Sequence, residues 1–174
     1  IEHALFVGNS LPIREVDMLS TTRNTPLQVA ANRGASGIDG QIATACGWAM
    51  GHRQPTTILL GDLSAMHDLN SLLLFRESPV PMTLVILNND GGGIFSLLPI
   101  SKQKGLFERF FGTPHGCEFS KVAAMFDLPY FQPENLEQLQ NSFQEAWRSN
   151  KSSLIEVKTD REQTAAHLLA WQAH

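Results

Sequence analysis

With 174 residues, 43% of them hydrophobic, the chain can bury a full core and reads as one domain. A formal net charge of -4 gives no basic field for nucleic acid, and no apolar run approaches the length of a membrane span. The opening residues Ile1-Glu2-His3-Ala4 show no signal peptide. They include no initiator methionine and lead almost directly into an apolar strand, so we expect a piece of a longer protein. Cys46 and Cys117 form no C-x-x-C pair, which fits a reducing cytoplasm.

Taken in order, His3 to Gly8 reads as a first strand, followed by Asn9-Ser10 and a helix from about Pro12 to Leu19, with Ser10 as its cap. Leu27 to Ala31 reads as a second strand that ends in a glycine-rich loop from Asn32 to Gly40. The small-residue helix Gln41 to Gly51 follows, and its backbone is expected to pack deep, against the core or another subunit. Thr57 to Leu60 is a short apolar strand stopping at Gly61-Asp62-Leu63-Ser64. One helix is predicted beyond it through Phe75, with Leu69, Leu72, Leu73 and Phe75 on its apolar face. Leu84 to Leu87 is the fourth strand, ending at Asn88-Asn89-Asp90 before Gly91-Gly92-Gly93.

From Asp90 to Glu118 the periodicity lapses around an apolar cluster of Phe107, Phe110 and Phe111, which predicts a lid, binding loop or partner contact. Ser120 is expected to cap a helix to Phe126, Pro129 to Phe131 to form a short strand, and Asn135 to cap a helix to about Arg148. Ser153 to Val157 reads as the last strand, and Arg161 to about Gln172 as the last helix, offering Ala165, Leu168, Leu169 and Trp171 for contact. Six strands alternating with helices predict an α/β fold, a doubly wound, mainly parallel sheet with helices on both faces. Such sheets place ligands at the carboxyl ends of their strands.

Two polar clusters share that kind of strand end. The Asp62 carboxylate, the Asn89 amide oxygen and a backbone carbonyl in the Gly91 region are hard oxygen ligands, suited to Mg²⁺ or Ca²⁺ and not to zinc. The N-terminus of a helix after Ser64 would offer N–H groups to a diphosphate. Neither G-x-G-x-x-G nor a Walker lysine loop is present. The plain alternative is that Asp62 and Ser64 cap a helix and Asn88-Asn89-Asp90 makes a turn. The placement of both clusters on consecutive strand ends favours the shared ion.

The pattern G-D-x, twenty-four residues, then N-N resembles the thiamine-diphosphate motif of the decarboxylase and transketolase superfamily. Phe6-Val7-Gly8-Asn9-Ser10 with Arg14, the Asn32 to Gly40 loop, Gly61 to Ser64 with Asp68-Leu69-Asn70, and Gly93 to Pro99 are similar to the MenD family, a transferase family of menaquinone biosynthesis. The similarity runs from about Phe6 to the C-terminus. It covers that family's diphosphate-binding domain without its pyrimidine-binding and central domains.

This resemblance implies that Asp62, Asn89 and the Gly91 carbonyl hold Mg²⁺ or Mn²⁺, and that Leu63 and Ser64 contact thiamine diphosphate. It implies that Ile38 is the apolar wedge that keeps the cofactor bent and that Ile94, Phe95 and Leu98 wall the site. For Ile38 the alternative is ordinary core packing. The implied reaction decarboxylates 2-oxoglutarate and adds the resulting succinyl unit to isochorismate. Arg14 and Arg33, following the first two strands, would pair with substrate carboxylates, since a guanidinium forks onto a carboxylate and stays charged; the alternative for each is an ordinary solvated surface charge. Asn9 and Ser10 would add polar contacts at the same rim.

The general acid/base of that superfamily is a glutamate of the pyrimidine domain. Glu2, Glu15, Glu77, Glu108 and Glu118 carry no motif nominating a substitute, so the fragment alone is expected to be inactive. The intact enzyme is expected to be a homodimer or homotetramer in the cytoplasm, with cofactor at a domain interface. Another thiamine-diphosphate carboligase or 2-oxoacid decarboxylase would share Asp62 and Asn89, and a non-catalytic binding domain of the same fold is a further reading. A zinc site using His115 and Cys117 lacks a second ligand pair.

Overall fold

In the computed structural model, residues 3–22, 24–34 and 37–172 are described; Glu2, and Ala35 and Ser36 of the glycine-rich loop, lie outside them. The apolar runs form β1 (Ala4–Val7), β2 (Val29–Ala30), β3 (Thr56–Gly61), β4 (Met82–Asn88), β5 (Tyr130–Phe131) and β6 (Ser153–Lys158). They make one sheet in the order β2-β1-β3-β4-β6-β5, with every neighbouring pair parallel. Parallel sheets need cover on both faces, and β4 accordingly is buried at almost every position, whereas β3 alternates. Because all strands run the same way, the carboxyl ends of β1, β3 and β4 meet at one edge of the sheet. Ile58 stands opposite Leu84 and Gly61 opposite Leu87, which sets the two polar clusters side by side.

The edge strand β2 is shorter than predicted at both ends, and past its carboxyl end the N–H of Arg33 turns back to the Ala31 carbonyl at 3.0 Å. Around the sheet lie α1 (Leu11–Leu19), α2 (Gln41–His52), α6 (Phe119–Met125), α7 (Leu136–Ser149) and α8 (Arg161–Gln172). Helix α2 packs as its small residues suggested, with Ala45, Cys46 and Ala49 fully buried against Phe6, Ile58 and Leu84 of the sheet core. Asn135 caps α7 through a bond from the Gln138 N–H at 2.9 Å. Ser120 does not cap α6, which begins one residue earlier at the fully buried Phe119. Ser10 precedes α1 without a side-chain cap bond, its backbone turned to φ 74.

The single helix predicted beyond β3 is instead α3 (Asp62–Met66), a 3-10 turn (Leu69–Leu72) and α4 (Leu73–Glu77). The break lies at Asp68, whose carboxylate takes the Ser71 hydroxyl and the Ala43 N–H at 2.9 Å, so a short polar side chain outcompetes the helical pattern and ties the turn to α2. Leu72 and Phe75 are buried as expected; Leu73 is exposed.

The stretch from Asp90 to Glu118 is not structureless. Two 3-10 turns (Gly93–Leu97, Pro99–Lys102), α5 (Lys104–Phe107) and a π turn (Glu108–Gly112) fold back over the carboxyl edge of β4. Phe107 stacks on Phe111, which meets Phe95 edge-on, while Phe110 is exposed. The Gly92 N–H donates to the Gly112 carbonyl at 2.8 Å, pinning this cover to the glycine run. Among the described residues no helix is long and apolar enough to cross a membrane.

Candidate functional site

Where β3 gives way to α3, Asp62 turns inward with its side chain 3% exposed. Its Oδ1 accepts the Leu63 N–H at 2.7 Å, and its Oδ2 accepts the Gly91 N–H at 2.9 Å. Asn89 follows the last residue of β4, and its Oδ1 is buried with no partner among the described residues. A methyl group on Gly93 would lie 2.4 Å from the Asn89 Nδ2, so glycine there leaves the room this amide occupies. Gly91 itself adopts φ 131 and is buried, with no room for a Cβ beside the 112–113 backbone. It is a locked turn, not the flexible segment its neighbours in sequence suggest.

Asp62 and Asn89 open into one cavity of about 250 Å³. Ser10, Ile38, Leu63, Ser64, Gly91, Ile94 and Phe95 also line it. The remaining predicted positions lie outside that lining. Asn9 is 2% exposed and donates its Nδ2 to the Gly37 carbonyl at 2.7 Å, holding the loop that carries Ile38. Arg33 is exposed, its Nη1 3.4 Å from the Asn9 Oδ1, and the exposed Arg14 donates to the Ser10 carbonyl at 2.6 Å. Leu98 is exposed at the following turn.

One expectation is corrected. The helix meant to present free N–H groups after Ser64 begins at Asp62, spans five residues, and has its Leu63 N–H already engaged. Ser64 is therefore buried within the first turn and still lines the cavity, but a long aligned helix dipole does not stand behind it.

His115 and Glu15 were not legible as site residues. His115, its side chain 8% exposed, places Nε2 3.2 Å from the Asp62 Oδ2, while Cys117 turns back onto His115 and does not approach the cavity lining. Nothing in sequence spacing links His115 to an aspartate 53 positions away. The link runs through Asp90, whose Oδ1 accepts the N–H groups of Gly116 at 2.8 Å and His115 at 3.0 Å. The Gly116 N–H, and after it that of His115, holds the Asp90 carboxyl below its ordinary value against an opposing push from burial. Glu15 lines the cavity from α1, and burial pushes its carboxyl above the usual range.

The donor set fits a hard divalent ion with a phosphorylated ligand: one carboxylate, one unpartnered amide oxygen and a glycine turn, in a concave cavity with an apolar wall. Among the described residues no group of three or more His, Cys, Asp or Glu is arranged to hold a metal, so such an ion would depend on amide, carbonyl and phosphate oxygens.

Residues 16–157 match the family model described as thiamine pyrophosphate enzyme, C-terminal TPP binding domain, thiamine pyrophosphate being thiamine diphosphate. The chain is 48% identical over 165 residues to the 2-succinyl-5-enolpyruvyl-6-hydroxy-3-cyclohexene-1-carboxylate synthase of Rubrobacter xylanophilus, covering 95% of this chain and 28% of the relative. It is 47% identical over 174 residues to the synthase of the same name from Aeromonas salmonicida, covering 98% and 30%. The crystal structure of benzoylformate decarboxylase from Polynucleobacter necessarius superposes with a TM-score of 0.77 at 17% identity, over 92% of this chain and 30% of that one, a likeness of fold. The chain thus spans less than a third of the length of these relatives.

Proposed function

Since the chain belongs to the thiamine pyrophosphate enzymes, as their C-terminal TPP-binding domain, we propose that it is the diphosphate- and metal-binding part of a synthase that decarboxylates 2-oxoglutarate and adds the succinyl unit to isochorismate. The observation that carries the site is the cavity shared by Asp62 and the buried, unpartnered oxygen of Asn89. Identity near one half with synthases of 2-succinyl-5-enolpyruvyl-6-hydroxy-3-cyclohexene-1-carboxylate supports these substrates. A cytoplasmic setting fits the two free cysteines.

Asp62, Asn89 and the Gly91 carbonyl would hold Mg²⁺ or Mn²⁺, with Leu63 and Ser64 against the cofactor. When bound, thiamine diphosphate would supply the electron sink for decarboxylation. Ile38, Ile94 and Phe95 contribute apolar wall, keeping water from a site where charge develops on carbon. Arg14 and Arg33 stand exposed near the loops after β1 and β2, with guanidinium groups available to exchange their present carbonyl and amide partners for substrate carboxylates. Asn9 and Ser10 support that rim, and Leu98 adds apolar surface beyond Phe95. The general acid/base falls to a glutamate of another domain, so this chain alone does not turn over, and the intact enzyme works as a homo-oligomer.

The test is calorimetric titration of thiamine diphosphate into the full-length enzyme with and without Mg²⁺. Asp62→Ala should abolish the Mg²⁺-dependent part; unchanged affinity would reject the site. Arg33→Ala should raise KM for the anionic substrates and spare cofactor affinity. Turnover of 2-oxoglutarate should require isochorismate for carbon–carbon bond formation, and decarboxylation of pyruvate without a second substrate would instead indicate a 2-oxoacid decarboxylase.

A further inference from the structure

The middle of β6 carries a residue that a parallel-sheet core does not by itself require. Glu156 stands opposite Ile86, 1% exposed, between Ile155 and Val157. A carboxylate in that position is costly unless its oxygens are paired, and both are. Oε1 accepts the Asn88 Nδ2 at 2.7 Å, and Oε2 accepts the Tyr130 hydroxyl at 2.5 Å from β5. Burial first, and then the bond to Glu156, holds the Tyr130 phenol above its ordinary value.

A buried, paired charge is weak support for stability, since apolar residues of similar volume fill a core as well. Its consequence lies at the next residue in the network. With Nδ2 committed to Glu156, the Asn88 amide has its orientation fixed, and its Oδ1 accepts the Asp90 N–H at 3.0 Å. The Asn88 carbonyl meanwhile accepts the Thr159 N–H at 2.9 Å. The residue before Asn89 is therefore held by side chain and backbone together. The residue after it is kept at φ 59, a left-handed conformation that a residue other than glycine adopts at a cost. From Asp90 the bonds continue to the N–H groups of His115 and Gly116, and His115 reaches the Asp62 Oδ2.

Resting on the assignment of Asp62 and Asn89 to the ion, we propose that Glu156 is a positioning residue that preforms the ion-binding pair. Through Asn88 it sets the backbone on both sides of Asn89, and through Asp90 and His115 it steadies the Asp62 carboxylate. Four elements distant in sequence, β4, β5, β6 and the 113–117 turn, converge in this way on groups that must meet one ion.

The test exchanges donor and acceptor without changing shape. In the full-length enzyme, Asn88→Asp sets two carboxylates against each other and should raise the Mg²⁺ concentration that half-saturates thiamine diphosphate binding by about 10-fold, the low end for losing support behind a metal ligand, because Asn88 bonds to Glu156 and Asp90 and not to a ligand itself. Adding Glu156→Gln restores every bond: the new amide donates to the new carboxylate, whose other oxygen still accepts the Asp90 N–H. The double variant should bind within about threefold of wild type, a coupling that independent effects would not produce. Cofactor-free melting temperatures separate positioning from general damage.

Wild-type half-saturation in Asn88→Asp overturns the proposal, as does a double variant that melts like wild type yet binds as poorly as the single one. Should Asn88→Asp not fold, Glu156→Leu with Tyr130→Phe replaces it, removing the buried carboxylate together with the hydroxyl that donates to it and leaving the Asn88 bond to Asp90 in place. Weakened Mg²⁺ dependence at a near-native melting temperature then supports the role, and wild-type dependence overturns it. A wild-type enzyme that binds no cofactor with Mg²⁺ rejects the site itself, and the positioning role with it.

Discussion

Replacing Gly91 with alanine should destabilise the fold and weaken Mg²⁺-dependent cofactor binding together. At φ 131 an L residue is strained, which costs about 1–3 kcal/mol. The added methyl would also lie 1.9 Å from the Gly112 carbonyl oxygen, a backbone atom that cannot swing aside alone. The 111–113 segment must then move and give up the bond from the Gly92 N–H at 2.8 Å, a further loss of about 1 kcal/mol. The sum, about 2–4 kcal/mol, corresponds to a fall in melting temperature of roughly 4–16 °C for a domain of this size. Urea unfolding without cofactor, followed by circular dichroism, measures the first effect, and Mg²⁺ titration of cofactor binding the second. A loss under about 0.5 kcal/mol, the range of an ordinary surface change, with wild-type Mg²⁺ dependence would refute the idea that the glycine run is fixed by the cover above it.

Gly47 provides the opposite case: it lies in the interior of α2 with open space around it, so Gly47→Ala should stabilise by about 0.8–1 kcal/mol in the same unfolding assay. Glu15 has a raised carboxyl pKa, so the folded state is penalised once the group ionises, and the penalty disappears as pH falls and both states are protonated. Glu15→Gln should accordingly raise cofactor-free stability at neutral pH and leave it unchanged below the ordinary carboxylate range, as read from melting temperature against pH. The Cys46 thiol is pushed up to about 12, first by burial and next by the charge of Asp68, so it should resist iodoacetamide in the native protein and react only after unfolding, as mass spectrometry of the labelled peptide would record.

The sequence by itself determined the alternation of strands and helices, because apolar period and turn chemistry are local: β3, β4, β6, α7 and α8 stand close to where their patterns place them. It also marked Asp62 and Asn89, since an acidic residue and an amide that each follow an apolar run announce two polar strand ends. What it could not carry was any effect arising between distant residues. Asp68 breaks the helix after β3 by bonding to α2, and the glycine run is locked by carbonyls twenty positions further on. His115 reaches Asp62 only because Asp90 holds the turn between them, and the buried Glu156 reads in sequence as one charge in an apolar strand. Hydrogen bonds and clashes of this kind depend on which chain segments the parallel sheet brings to the same edge, and only the tertiary structure decided that.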